Sequence, residues 1–240
     1  MREGFTHLKD APDVTPFTPP TADQLLAIRV NAGIDELAQT ERFAHAEPDL
    51  VEAIVEGVGQ FAAGEFAPLN RKGDLEGAKL ENGVVRLPDG FEAAYKAYVE
   101  QGWNAIASPV EHGGQGLPFT LATVIIEALG TADMGFTLCN ILTPGAIHAL
   151  MAYGTEEQRQ TWLPKLVSGA WNGTMNLTEP AAGSDVGALR STAEKITEGP
   201  NAGLYKIKGQ KIFITFGEHD LTDNIVHLVL ARTPGAPEGT

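Results

Sequence analysis

Apolar residues recur at helical spacing as far as Gly169 and at strand spacing beyond it. A single change of period midway along a chain, a helical half followed by a β half, points to α+β or to two packed domains. Pro48 opens a helix at its first turn, and Leu50, Ile54, Val58 and Phe61 follow on one face. Phe91, Tyr95, Tyr98 and Val99 mark a second face, and Leu121, Val124, Ile125, Ala128 and Leu129 a third. Thr155 with Gln158 reads as a capping box starting a helix that carries Trp162, Leu163, Leu166 and Val167 and stops at Ser168-Gly169. After that the runs Trp171 to Thr178, Ala188 to Thr197, Leu204 to Lys208, Lys211 to Thr215 and Asn224 to Ala231 read as short strands between Gly-rich turns.

Charge narrows the function classes. The net charge is −14, and residues 1–100 carry 9 Lys+Arg against 18 Asp+Glu. Residues 101–240 carry 8 against 13, so neither half offers a basic face to nucleic acid. The stretch 101–158 has no Lys or Arg, as an interior segment would. Cys139 is the only cysteine, which fits a reducing, cytoplasmic setting and a small buried side chain. No signal peptide is evident, and no unbroken apolar run reaches the ~18 residues of a membrane span.

The expected plan is an extended leader over 1–20, with Pro12, Pro16, Pro19 and Pro20, a helical domain over 21–170 and a β domain over 171–240. Ile225, Val226, Leu228, Val229 and Leu230 are apolar on both faces of the last strand, yet only Pro/Gly-rich loop follows Ala231. That sheet is therefore expected to be incomplete and to need cover from elsewhere.

Two segments carry chemistry. In Leu177-Thr178-Glu179-Pro180 a strand ends in a hydroxyl, and Pro180 stops further pairing. Gly183-Ser184-Asp185 then offers backbone N–H groups of the kind that cradle a pyrophosphate, though a plain strand-closing turn has the same look. Phe213-Ile214-Thr215, read as strand, puts an aromatic ring and a hydroxyl on one face, fit for a planar ring or for a half-buried sheet. Glu111-His112-Gly113-Gly114-Gln115-Gly116 lacks dinucleotide-loop spacing, and the six histidines show no metal spacing.

In order, and after a helical domain of this length, Thr178-Glu179-Pro180…Gly183-Ser184-Asp185 and Phe213-Ile214-Thr215 resemble the two flavin-contacting elements of the acyl-CoA dehydrogenase family. The resemblance covers about Thr21 to Thr240. It implies FAD as cofactor, with Met175 and Leu177 as backbone contacts and Thr178 hydrogen-bonding the pyrimidine side of the flavin. Phe213 stands where the family usually has Trp, which keeps a stacking surface and loses an N–H donor. Ile214 is the adjoining contact, Thr215 the partner of flavin N5, and Gly183 and Ser184 lie near the pyrophosphate, Ser184 also near the acyl-CoA. Gly217 to Asn224 and the long leader are similar to a larger subgroup that includes methylthiopropionyl-CoA dehydrogenases.

The reaction so implied is α,β-dehydrogenation of an acyl-CoA thioester: a Glu base takes the α-proton as the β-hydrogen leaves as hydride to flavin N5. The family's base and its C-terminal helical bundle map onto no residue here, so the expectation is an N-terminal portion with no catalytic residue of its own and weak hold on FAD alone. Also implied are an electron-transfer flavoprotein as acceptor and a homodimer or homotetramer. A flavin acyl-CoA oxidase, and a non-catalytic binding module that keeps the half-site, remain open as alternatives.

Overall fold

The computed structural model describes residues 16–237 and Gly239. Most of the expected leader therefore lies outside the described residues. Its end, Pro16 to Pro20, forms no regular element and lies on the helices: Phe17 packs on the core, and a Cβ on Gly59 would come within 2.8 Å of Pro19.

The helices are α1 (Thr21–Val30), α2 (Ile34–Leu37), α3 (Pro48–Phe61), α4 (Ala67–Glu76), α5 (Phe91–Glu100), α6 (Phe119–Tyr153) and α7 (Glu156–Val167). On α3 Ile54, Val58 and Phe61 are buried as the spacing says, joined by Val51 and Val55, and Leu50 alone departs from that face by being exposed. A π-turn at Ala62–Phe66 joins α3 to α4 and drives Phe66 inward. The Phe66 ring stacks on Phe136 at 4.5 Å and touches Phe61 and Tyr98. Between α4 and α5 the helical reading fails, because β1 (Lys79–Glu81) and β2 (Val84–Arg86) form an antiparallel hairpin. Asn82 and Gly83, both at positive φ, make its two-residue turn.

α6 is two helices end to end. Asp133 leaves helical geometry (φ −153°, ψ 93°), and its Oδ1 accepts from the Phe136 N–H at 3.0 Å, so it caps the second half. Burial pushes the Asp133 carboxyl up from its ordinary range, against the pull of the Phe136 N–H. By length and composition α6 is apolar enough to cross a bilayer, a feature missed by counting unbroken apolar runs; more than half of that window is buried in the core. The Thr155 capping box of α7 is present as read: Gln158 N–H donates to Oγ1, and Thr155 N–H donates to Gln158 Oε1.

Beyond Gly169 come β3 (Trp171–Asn176), β4 (Thr192–Lys195), β5 (Tyr205–Lys208) and β6 (Asn224–Val229). β4 and β5 pair antiparallel, as the fold class requires, but β3 and β6 pair parallel, Trp171 opposite Asn224 and Asn176 opposite Val229. The parallel pairing is possible because the β4–β5 hairpin and its loops form a long crossover between the two strands. Trp171, Val226 and Leu228 pack on a cluster of Ala146, Ile147, Leu150, Leu163, Leu166 and Val167. The rest of the last strand is half-exposed rather than fully buried, and Leu230 is 37% exposed.

A buried polar chain fixes β3 to the helices. The Tyr95 hydroxyl lies 2.6 Å from Asn172 Oδ1 and 2.9 Å from the Gly169 carbonyl, while Asn172 Nδ2 donates to the Cys139 carbonyl at 3.0 Å. Gly173 N–H donates to Thr143 Oγ1, and a Cβ on Gly173 would stand 2.6 Å from that of Ala146. Burial pushes the Cys139 thiol up to about 12, against the pull of Asn172, so it is no nucleophile at neutral pH. Tyr95→Phe should cost about 1–3 kcal/mol, since Asn172 Oδ1 then stays buried without a donor. The midpoint of urea unfolding checks this.

Candidate functional site

Leu177, Thr178 and Glu179 follow β3 directly, where the ladder with β6 ends. Glu179 N–H and carbonyl exchange bonds with Ala182 at 2.9 and 3.1 Å, closing a tight turn over Pro180-Ala181. Gly183, Ser184 and Asp185 continue from it exposed to solvent. Met175 sits on β3, 37% exposed, opposite Leu228.

Lys211 to Thr215 is not a strand. The ladder of β5 ends at Lys208, and the segment that follows is irregular up to the start of β6. Phe213 takes φ 58° and Phe216 φ 47°, left-handed conformations that cost a bulky side chain of the order of 1–3 kcal/mol each. The alternation that put Phe213 and Thr215 on one face is therefore overturned, because a left-handed residue cannot continue a pleat. The Phe213 ring is 88% exposed, Ile214 and Thr215 are half-buried, and Phe216 turns back against the helical core. Gly217 N–H donates to the Ile214 carbonyl and closes this second turn.

The two segments are nevertheless side by side. Ile212 N–H donates to the Thr178 carbonyl at 2.9 Å, and Lys211 Nζ donates to the Leu177 carbonyl at 2.9 Å. Lys211 Nζ also meets Glu179 Oε1 at 2.8 Å, in a pair whose side chains are only 10% and 5% exposed. The Glu179 carboxylate further accepts from Arg190 N–H at 2.7 Å and Ser191 N–H at 3.0 Å. Burial works against the charged Glu179, but Lys211 and these N–H groups outweigh it and hold the carboxyl down at about 2. Among the described residues Glu179–Lys211 is the most buried ion pair, and Lys211 is not singled out by the sequence reading. The signal for both is spacing: an acid just past one motif and a cation just before the other.

A cleft of about 400 Å³ opens beside Phe216, walled by Asn70, Gly73, Phe91, Asp133 and Phe136. It brings the helical half against the irregular segment. The loop Glu111 to Gly116 is tied back to residues 105–109 by backbone bonds, as a structural connection is. Among the described residues no group of three His, Cys, Asp or Glu side chains is placed to hold a metal ion.

Comparison with known proteins bears on this arrangement. Residues 48–170 match the acyl-CoA dehydrogenase N-terminal domain. The chain is 47% identical over 223 residues to 3-methylmercaptopropionyl-CoA dehydrogenase of Ruegeria pomeroyi, covering 93% of this chain and 37% of that protein. It is 42% identical over 178 residues to a butyryl-CoA dehydrogenase of Syntrophomonas wolfei, covering 73% of this chain and 28% of that one. The chain thus spans about a third of the length of these curated relatives. Among solved structures, an acyl-CoA dehydrogenase from Geobacillus kaustophilus superposes with a TM-score of 0.61 at 29% identity, over 79% of this chain and 45% of that one. With the family's N-terminal domain matched over residues 48–170 and its fold reproduced, the chain belongs to the acyl-CoA dehydrogenase family.

Proposed function

We propose that this chain supplies the flavin-holding part of an FAD-dependent acyl-CoA dehydrogenase. The observation that carries the reading is the tie of Lys211 and Ile212 to residues 177–179, which sets the two motif segments against each other. A flavin ring needs an apolar face and polar groups along its edge. Phe213 offers an aromatic face with no task in the core; the half-exposed Thr215 lies two residues on, and the half-exposed Thr178 is tied through its carbonyl to Ile212, the residue before Phe213. The donor set fits: Met175, Leu177 and Thr178 would hold one edge, Phe213, Ile214 and Thr215 the other, and Gly183 and Ser184 the pyrophosphate. When bound, FAD supplies the acceptor for the hydride that leaves the β-carbon of an acyl-CoA.

This chain's residues bind, orient and exclude water; none is assigned to α-proton removal. Glu179 is a poor base, because its carboxyl is held at about 2 and its oxygens are taken by Lys211 and two N–H groups. Family membership supports an electron-transfer flavoprotein as acceptor and a homodimer or homotetramer as the working assembly. The match to the Ruegeria relative supports a place in the larger, methylthiopropionyl-CoA-like subgroup.

Phe213→Ala is the sharpest single test. Its ring is exposed, so unfolding should shift by no more than about 0.5 kcal/mol. FAD affinity should fall roughly tenfold, the loss of one aromatic stacking contact of about 1 kcal/mol or slightly more. Titration with FAD, followed by flavin fluorescence in the full chain that carries these residues, reads both proteins. Equal affinity in the two would remove Phe213 from the site.

A further inference from the structure

We propose that Glu179 and Lys211 are positioning residues, a buried clamp that fixes the segment Ile212 to Phe216 against Thr178 and so sets the edge that meets the cofactor. The inference rests on the flavin reading above and adds what holds the flavin residues in place.

Three stretches of chain converge on one carboxylate: the end of β3 through Glu179 itself, the approach to β4 through Arg190 and Ser191, and the exit from β5 through Lys211. The lysine then reaches back to Leu177, so that its ammonium donates to the Leu177 carbonyl and the Glu179 carboxylate, on either side of Thr178. No ladder holds the segment beyond β5, and its two left-handed aromatics, Phe213 and Phe216, flank Ile214 and Thr215. Such backbone persists only where its surroundings over-determine it. On one side Phe216 is held against the helical core, with its ring 5.6 Å from that of buried His219. On the other side the fixings are the Ile212 N–H and the Lys211 ammonium.

An ion pair this buried is a poor choice for stability alone, since well-packed apolar side chains often do as well. What it offers instead is direction. An ammonium with fixed acceptors accepts few arrangements of the backbone around it, whereas an apolar contact tolerates sliding. The placement of the pair, one residue past Thr178 and four before Thr215, puts that direction where the flavin edge is read.

The experiment is hydrogen–deuterium exchange on the full chain without cofactor, then FAD titration of the same samples. The proteins are wild type, Glu179→Gln, Lys211→Met, the double variant and Lys211→Arg. Amides of 211–216 should exchange roughly ten- to a hundredfold faster in either single variant, the loss of one buried charged hydrogen bond. The double variant should be no worse than the singles, α3 should keep its protection, and Lys211→Arg should recover most of it. FAD affinity should fall by a similar factor. Unchanged exchange at 211–216, faster exchange everywhere alike, or local loosening with FAD affinity intact would each overturn the clamp. If Glu179→Gln does not fold, Lys211→Met carries the same test. A wild type that binds no FAD would sink the flavin reading instead, and the exchange data would still decide whether the clamp holds the segment.

Discussion

Replacing Phe66 by alanine is expected to destabilise the protein by about 3–5 kcal/mol, the usual cost of emptying a fully buried aromatic site. Phe66 is 0% exposed, and its ring lies on those of Phe136, Phe61 and Tyr98. Its neighbours cannot collapse into the gap. Phe61 and Phe66 bracket a π-turn whose backbone is already committed, and Phe136 is fixed by the Asp133 cap three residues before it. The loss rivals a large share of the ~5–15 kcal/mol that holds an ordinary domain folded. Urea unfolding should show the midpoint falling with the slope unchanged. A loss below about 1 kcal/mol would mean that the aromatic cluster is not the keystone of the helical half.

The second large effect is expected at Glu179, and it depends on pH. Its folded carboxyl is held at about 2 against an ordinary 4.5, so its pairing contributes fully above pH 4.5 and is lost as pH falls towards 2. A shift of that size corresponds to about 3 kcal/mol. Glu179→Ala should cost about 3–5 kcal/mol at neutral pH, because Lys211 is left as a buried, unpaired ammonium. The variant should also lose the part of any acid-induced decline between pH 4.5 and 2 that protonation of Glu179 contributes. Urea midpoints measured across that window check both parts. Parallel pH profiles for variant and wild type would show that other carboxylates govern the acid response.

Much of the helical half could be read directly, since a 3.6-residue period and a capping box are local signals. Leu121 to Leu129 face the core as the spacing says, and Thr155 caps α7. On α3 the face holds at Ile54, Val58 and Phe61 and misses only at its start, where Val51 rather than Leu50 is buried, because two adjacent apolar residues leave that position undecided. The Asn82-Gly83 hairpin had its turn signal in plain view, but its strands are short and largely exposed and carry no alternation to notice. The parallel pairing of β3 with β6 could not be read, since a period of two says which residues share a face and nothing about which way a partner runs. Phe213 to Thr215 alternates like a strand, yet the backbone there answers to contacts distant in sequence, the Lys211 and Ile212 ties to residues 177–179. The site residues themselves came from resemblance; the pair that joins them became visible only once the chain was folded.

The parallel register of β3 and β6 also dictates an order of events on the ribosome. Trp171–Asn176 emerges with its partner, Asn224–Val229, still unmade, and at about 5–20 residues per second the wait lasts roughly a few seconds. Over that interval one edge of the nascent strand has no mate, and an unmated edge is an invitation to neighbouring chains. The bonds of Asn172 to Cys139 and of Gly173 to Thr143 need only a helix already synthesised, so they are the native contacts open to β3 before its partner arrives.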